Sequence, residues 1–100
     1  MPVVSLSVWD IAPEDVEHTL GQAAKVKAWV MANGAEDARV GQIQTGEHTG
    51  KWLMSIRYPN MEAFGKASDL QATDPQVQAM VAETKGTLVF RTLVRGIDIG

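Results

Sequence analysis

The stretch that decides most of the fold is residues 50–64, GKWLMSIRYPNMEAF. Side chains from residue 51 to residue 58 alternate between two sides, which is typical of a strand. Pro59 ends this strand, and Asn60 is a good N-cap for a helix that begins directly after it. The stretch therefore predicts a strand that leads at once into a helix.

Two strands and a helix are predicted before this stretch. Residues 3–9 alternate with the period of a strand, and Pro13, followed by acidic residues, suits the first turn of a helix. Asn33-Gly34 is a typical helix stop. A second strand is expected at about residues 38–45, and a hairpin loop at residues 46–50 joins it to the third strand in antiparallel fashion.

Helical structure restarts after the stretch at Asp74-Pro75, an N-cap followed by a proline at the first helical position. Gly86 closes that helix, and Thr87 to about Ile97 predicts a fourth strand. The resulting order, β-α-β-β-α-β with a broken second crossover, is the ferredoxin-like α+β arrangement with a four-stranded antiparallel sheet. The chain has 100 residues, so we expect a single domain over residues 1–100.

Composition excludes several classes of function. The chain has no cysteine, so it has no disulfide framework, thiolate nucleophile or Cys-ligated metal, and no cofactor or metal signature is found. A formal net charge of -3 with interspersed acids and bases argues against nucleic acid and anionic membranes as partners. No apolar run reaches the roughly 20 residues that span a bilayer, and no basic leader precedes the first strand, so a cytoplasmic location is expected.

The helices of this fold cover one face of the sheet and leave the other bare. Simple alternation puts Val4, Leu6 and Val8 under the helices and gives the bare face a mixed composition. The predicted bare face consists of Ser5, Ser7, Trp9, Leu53, Ser55, Arg57, Val89, Arg91 and Leu93. Such a face is too apolar for water and too polar for a simple core, which predicts a homodimer whose two sheets close a barrel around a partly filled cavity.

The order of elements, the length and residues 50–64 resemble the dimeric α/β-barrel superfamily. The similarity is to single-domain members grouped with antibiotic-biosynthesis monooxygenases, stress-responsive barrel proteins and the NIPSNAP type. This resemblance implies a ferredoxin-like homodimer, in a superfamily that includes cofactor-independent oxygenases, haem-degrading enzymes and small isomerases. Haem-degrading relatives use a histidine near the second helix and an asparagine on the first strand. Residues 60–86 contain no histidine and the first strand no asparagine, so haem degradation is not expected.

Arg57 and Arg91 are the best candidates for a site, because arginines within alternating strands need an anionic partner. That partner is either a ligand carboxylate or phosphate, or an acidic residue across the dimer interface. His48 lies in the hairpin loop, which can reach over a barrel mouth. The predicted ligand-binding set is Trp9, Ser55, Arg57, Arg91 and His48.

Two functions fit this sequence. The first is a non-catalytic dimeric module that binds a small molecule or is associated with stress. This function is favoured because the sequence offers few candidate catalytic residues. The second is a cofactor-independent monooxygenase or isomerase that acts in the barrel cavity on a small organic substrate, either anionic or neutral. This second function is supported by the superfamily resemblance.

Overall fold

The computed structural model describes residues 1–97 and 99. The elements are β1 (Val3–Asp10), a 3₁₀ turn (Pro13–Asp15), α1 (Val16–Ala32), β2 (Asp37–Gln42), β3 (Trp52–Tyr58), α2 (Met61–Thr73), α3 (Pro75–Ala82) and β4 (Thr87–Arg95). The strands form one antiparallel sheet in the order β2-β3-β1-β4, so the predicted ferredoxin-like α+β fold is confirmed. No described helix is long and apolar enough to cross a membrane.

The second crossover is split because its two helices have separate N-caps. Asn60 Oδ1 accepts a hydrogen bond from the backbone N–H of Ala63 at 2.8 Å, which starts α2. Asp74 Oδ1 accepts one from the N–H of Gln76 at 2.8 Å, and Pro75 occupies the first position of α3. Both helix starts therefore lie at the residues that the sequence indicates.

The end of α1 is fixed by a glycine in left-handed backbone conformation. Gly34 has φ +101°, and the N–H of the next residue, Ala35, donates to the carbonyl of Val30 at 2.9 Å. This is the Schellman arrangement, in which a glycine lets the chain reverse over the last helical turn. It directs the chain from α1 into β2.

The register of the sheet corrects the predicted orientation of β1. Val3 pairs with Tyr58 and Ser7 with Met54, and paired residues share a face. Val3 and Tyr58 are buried in the core together with Trp29 of α1, so their face is the one that the helices cover. Ser5, Ser7 and Trp9 therefore lie under the helices, whereas Val4, Leu6 and Val8 lie on the other face.

The predicted orientation of β4 was also wrong, because β4 pairs with β1 and shares its faces. A bulge changes the register between the two strands as well. Arg91 pairs with Ser7 and Leu93 with Ser5, so both lie on the helix side. The register shifts next to Val89, so that Leu88 and not Val89 stands opposite Trp9. The face away from the helices, called the open face below, includes Val4, Leu6, Val8, Leu53, Ser55, Arg57, Phe90, Thr92 and Val94, and from β2 Asp37, Arg39 and Gly41.

The buried stripe of α1 contains one polar residue. It is formed by Gln22, Trp29 and Val30, while Leu20 is exposed. Trp29 Nε1 donates to Asp74 Oδ2 at 2.9 Å, which ties α1 to the junction between α2 and α3.

Candidate functional site

A cavity of about 610 Å³ lies between the helices and the covered face of the sheet. All three tryptophans of the chain, Trp9, Trp29 and Trp52, line it. Its other apolar walls come from β3, α1, α2 and α3 and include Val26, Met54, Ile56, Phe64, Val77 and Met80. A volume of this size with mainly apolar walls and a few polar groups is typical of a small-molecule site.

Small polar residues on β1 make room for this cavity. Ser5 and Ser7 stand where the core of a closed sheet would carry large apolar side chains, and Ser7 is only 8% exposed. Trp9 Nε1 donates to Ser7 Oγ at 2.9 Å. Because the Ser7 oxygen already accepts this bond, its own O–H is available as a donor to a ligand.

Arg91 lies opposite Ser7 in the ladder and lines the same cavity. Its side chain is exposed, so the β4 edge is where the cavity meets solvent. Among the described residues no carboxylate lies within ion-pair distance of Arg91. Arg57, by contrast, donates through Nε to Glu36 Oε2 at 3.0 Å. Of the two arginines singled out in the sequence, one has a protein partner and the other faces the cavity.

Tyr58 contributes a further donor at the inner end of the cavity. It is 2% exposed and packs edge-to-face against Phe64, with ring centroids 5.5 Å apart. Burial raises the pKa of its hydroxyl above the ordinary value of 10.0, so the group stays protonated at neutral pH. A neutral hydroxyl in this position can donate a hydrogen bond to a ligand.

Gln22 of α1 is a cavity residue that sequence reasoning missed. It is 7% exposed and its Nε2 donates to Glu83 Oε2 at 3.0 Å. Its Oε1 is buried and accepts no hydrogen bond from any described residue. A glutamine within an otherwise apolar helix stripe is the signal that could have identified it.

The five predicted site residues do not come together. Trp9 and Arg91 line the cavity, whereas Ser55 and Arg57 lie on the open face. His48 is also on that side, with its ring centroid 5.4 Å from that of Phe90 and its Nε2 3.3 Å from Glu47 Oε1. The hairpin loop thus reaches the open face rather than the cavity, and Val8, which pairs with Phe90, is 2% exposed.

The described part of the chain limits the chemistry available in this cavity. None of the residues that line it is a histidine, aspartate or glutamate. Over residues 1–97 and 99, no group of three or more His, Asp and Glu side chains is arranged to hold a metal ion. The polar groups of the walls are hydroxyls, amides and one guanidinium, which can bind and orient a molecule and stabilise negative charge on it.

No protein-family model and no curated protein sequence matches this chain. Solved structures share its fold. The chain superimposes with TM-score 0.72 on a mutant of SnoaB, a cofactor-independent oxygenase from Streptomyces nogalater, at 13% identity over 97% of this chain and 94% of that one. It superimposes with TM-score 0.70 on Rv0793 from Mycobacterium tuberculosis, at 15% identity over 98% and 97% of the two chains. An uncharacterized NIPSNAP-like domain protein from Burkholderia xenovorans gives 0.66 at 9% identity, over 99% and 88%.

These neighbours belong to the antibiotic-biosynthesis monooxygenase-like and NIPSNAP-like fold types that the sequence resembled. The predicted class of fold is therefore confirmed. Sequence identities of 9–15% support a shared fold only, and a shared fold does not establish a shared reaction.

Proposed function

We propose that this protein binds a small, mainly apolar organic molecule with an acidic group in the cavity between the helices and the sheet. The observation that carries this proposal is Arg91, a guanidinium on the cavity wall that no described acidic residue neutralises. Guanidinium binds carboxylates and similar oxyanions through two parallel hydrogen bonds. The Ser7 hydroxyl, directly opposite in the ladder, supplies a further donor to the same group.

The walls favour a planar ligand. Trp9 and Trp52 pair across β1 and β3, and Phe64 faces the cavity from α2. Aromatic side chains in offset or edge-to-face arrangement stabilise a flat aromatic guest beyond the effect of buried area alone. An aromatic acid or a phenolate combines a flat ring that packs against these aromatic walls with a negative charge that pairs with Arg91.

A second candidate is cofactor-independent oxygenation of such a molecule. The substrate would lose a proton from carbon, its carbanion would add O₂, and the peroxide would release water to leave a carbonyl group. Arg91 favours this candidate, because a guanidinium stabilises the oxyanion form of an enolised substrate. The likeness to the fold of a cofactor-independent oxygenase supports it. Because the described walls carry no side-chain base of the usual kinds, binding is the better supported of the two functions.

We also propose that two copies of the chain pair through the open face. Its apolar residues include Val4, Leu6 and Leu53, and Phe90 and Val94 are 42% and 43% exposed. Burying these exposed apolar side chains against another protein is favourable. The same face on a second copy can cover them, because two-fold symmetry brings identical surfaces together. Two sheets packed in this way would close the barrel that the superfamily resemblance implies.

The binding proposal is tested with a charged and a neutral ligand of the same shape. Tryptophan fluorescence reports on the cavity directly, since all three tryptophans line it. We expect 2-naphthoate to change this fluorescence saturably and to raise the melting temperature, and 2-naphthamide to bind about tenfold more weakly. Equal affinities for the two compounds, or no binding of either, would contradict the proposal.

The oxygenase candidate has a separate test. Anthrone, a planar ketone with an acidic CH₂ group, is incubated with the protein, and O₂ uptake and anthraquinone formation are measured against the uncatalysed rate. A rate unaffected by the protein would remove this candidate for that substrate class and leave the binding proposal standing.

A further inference from the structure

Gln22 has a buried amide oxygen without a partner, and it lies on the wall of the cavity. Buried polar atoms are almost always hydrogen-bonded, so each exception calls for an explanation. Among the described residues, Gln22 Oε1 is the one buried side-chain atom of this kind. Its position on the cavity wall suggests that the missing donor comes from what the cavity holds.

Glu83 determines which end of the Gln22 amide is left without a partner. The oxygen and nitrogen of an amide are hard to distinguish by shape, and the hydrogen-bond partner decides between them. A carboxylate oxygen accepts hydrogen bonds, and Glu83 Oε2 lies 3.0 Å from Gln22 Nε2. Rotating the amide would place two oxygens against each other, so Oε1 is held away from Glu83.

The segment that carries Glu83 is itself fixed to the same part of α1. His18 Nε2 donates to the carbonyl oxygen of Glu83 at 3.0 Å, and Thr19 Oγ1 donates to that of Lys85 at 2.9 Å. Together with the Gln22 bond, three side chains of one stretch of α1 hold the end of α3 in place. Glu83 is therefore well positioned to keep the Gln22 amide in one orientation.

From these contacts we infer that the ligand of this cavity carries a hydrogen-bond donor, an O–H or N–H group, that pairs with Gln22 Oε1. This inference rests on the proposed binding function and narrows it to molecules that combine an acidic group for Arg91 with a separate donor. Gln22 lines the cavity but its Oε1 has almost no accessible surface, so a ligand donor reaches this oxygen only when neighbouring wall side chains move aside. Ligands without a donor leave this acceptor unpaired and bind more weakly.

The test compares hydroxynaphthoates with their methoxy counterparts. The 3-, 5-, 6- and 7-hydroxy-2-naphthoates and the corresponding methoxy compounds differ in having or lacking a donor at the same position. We expect at least one hydroxy compound to bind about tenfold more tightly than its methoxy partner, the size of effect that one buried hydrogen bond produces. In Gln22→Leu this advantage disappears, and affinity for unsubstituted 2-naphthoate, measured in the same variant, reports any general change of the cavity.

Two further variants separate the role of Gln22 from a general effect on the cavity. Gln71→Leu makes the same substitution at another wall residue and leaves the hydroxyl advantage intact. Glu83→Gln reduces the advantage, because an amide at position 83 can pair with either end of Gln22. An advantage that persists in Gln22→Leu, or equal affinities within every pair, would overturn the inference even if 2-naphthoate binds. Failure of 2-naphthoate to bind would instead refute the proposed function, and this inference with it.

Discussion

Ser7 and Arg91 stand directly opposite each other in the β1–β4 ladder, on the side of the sheet that the helices cover. This pairing places a hydroxyl donor and a guanidinium at one wall of the cavity, on backbone held by strand hydrogen bonds. Arg57 lies on β3 opposite Val4, on the open face, where Glu36 neutralises it. The two arginines therefore make a matched pair for experiment.

Arg91→Gln should weaken binding of 2-naphthoate at least tenfold, because a charge-assisted hydrogen bond contributes about 1.5–3 kcal/mol and 1.4 kcal/mol is a factor of ten. Affinity for neutral 2-naphthamide should change little. Fluorescence titration of both compounds checks this. Arg57→Gln is the control and should leave both affinities unchanged; a parallel loss in the two variants would mean that the arginines act through stability or net charge.

Pairing through the open face predicts that a charge placed there separates the copies. Val94→Asp should turn a dimer into a monomer, because an unpaired carboxylate in an apolar interface is strongly unfavourable. Sedimentation velocity at several protein concentrations measures the change. Met31→Asp is a matched control, since Met31 on α1 is 42% exposed and Val94 is 43% exposed. A wild-type protein that sediments as a monomer at all concentrations would contradict the proposed pairing.

The sequence allowed the elements and their order to be predicted, because caps, prolines and glycines act locally. Asn60, the Asp74-Pro75 pair and Gly34 each end or begin a helix where expected. Alternation also placed Leu53, Ser55 and Arg57 of β3 correctly on the face away from the helices.

The faces of β1 and β4 could not be assigned in this way. Alternation shows which residues of a strand share a face. It does not show which face the helices cover, and the prediction assumed that the more apolar face is the covered one. Here Ser5 and Ser7 line an internal cavity, while Val4 and Leu6 lie on the open face. The bulge next to Val89 then breaks the alternation of β4, and nothing in the local sequence marks it.

Gly21 within α1 and Gly34 just after it should respond in opposite ways to substitution by alanine. Gly34→Ala should destabilise the fold by about 1–3 kcal/mol, because a residue with a Cβ is strained at this backbone angle. A steric clash is not the cause, since the added Cβ would lie 3.8 Å from the Cβ of Ala63, an ordinary van der Waals contact. Gly21→Ala should stabilise by about 0.5–1 kcal/mol, because Gly21 is helical and nothing lies within 4 Å of the new methyl group. Urea unfolding of both variants measures the two signs; a stabilising Gly34→Ala would contradict the role assigned to this turn.

Asp74 should make stability depend on pH in the acidic range. It accepts hydrogen bonds from Trp29 Nε1 at 2.9 Å and from the backbone N–H of Gln76 at 2.8 Å. The Trp29 bond first, and then the Gln76 bond, lower the pKa of the carboxyl below its ordinary 3.8. Because the pKa is lower in the folded than in the unfolded state, the stabilisation is fully present above pH 3.8 and is lost as the pH falls through the folded value.

Asp74→Ala removes both the N-cap of α3 and the Trp29 contact, and near neutral pH it should lower the melting temperature by about 4–8 °C or more. The difference in melting temperature between wild type and variant should narrow as the pH falls below 3.8. Protonation of Asp74 weakens its hydrogen bonds in the wild type, and the variant already lacks those bonds. Melting temperatures between pH 2.5 and pH 7 measure this gap. Trp29→Phe keeps an aromatic ring in the core but has no N–H to donate, so the narrowing should be smaller when Asp74→Ala is made in that background. A gap of constant size from neutral to acidic pH would show that the charge of Asp74 does not stabilise this junction.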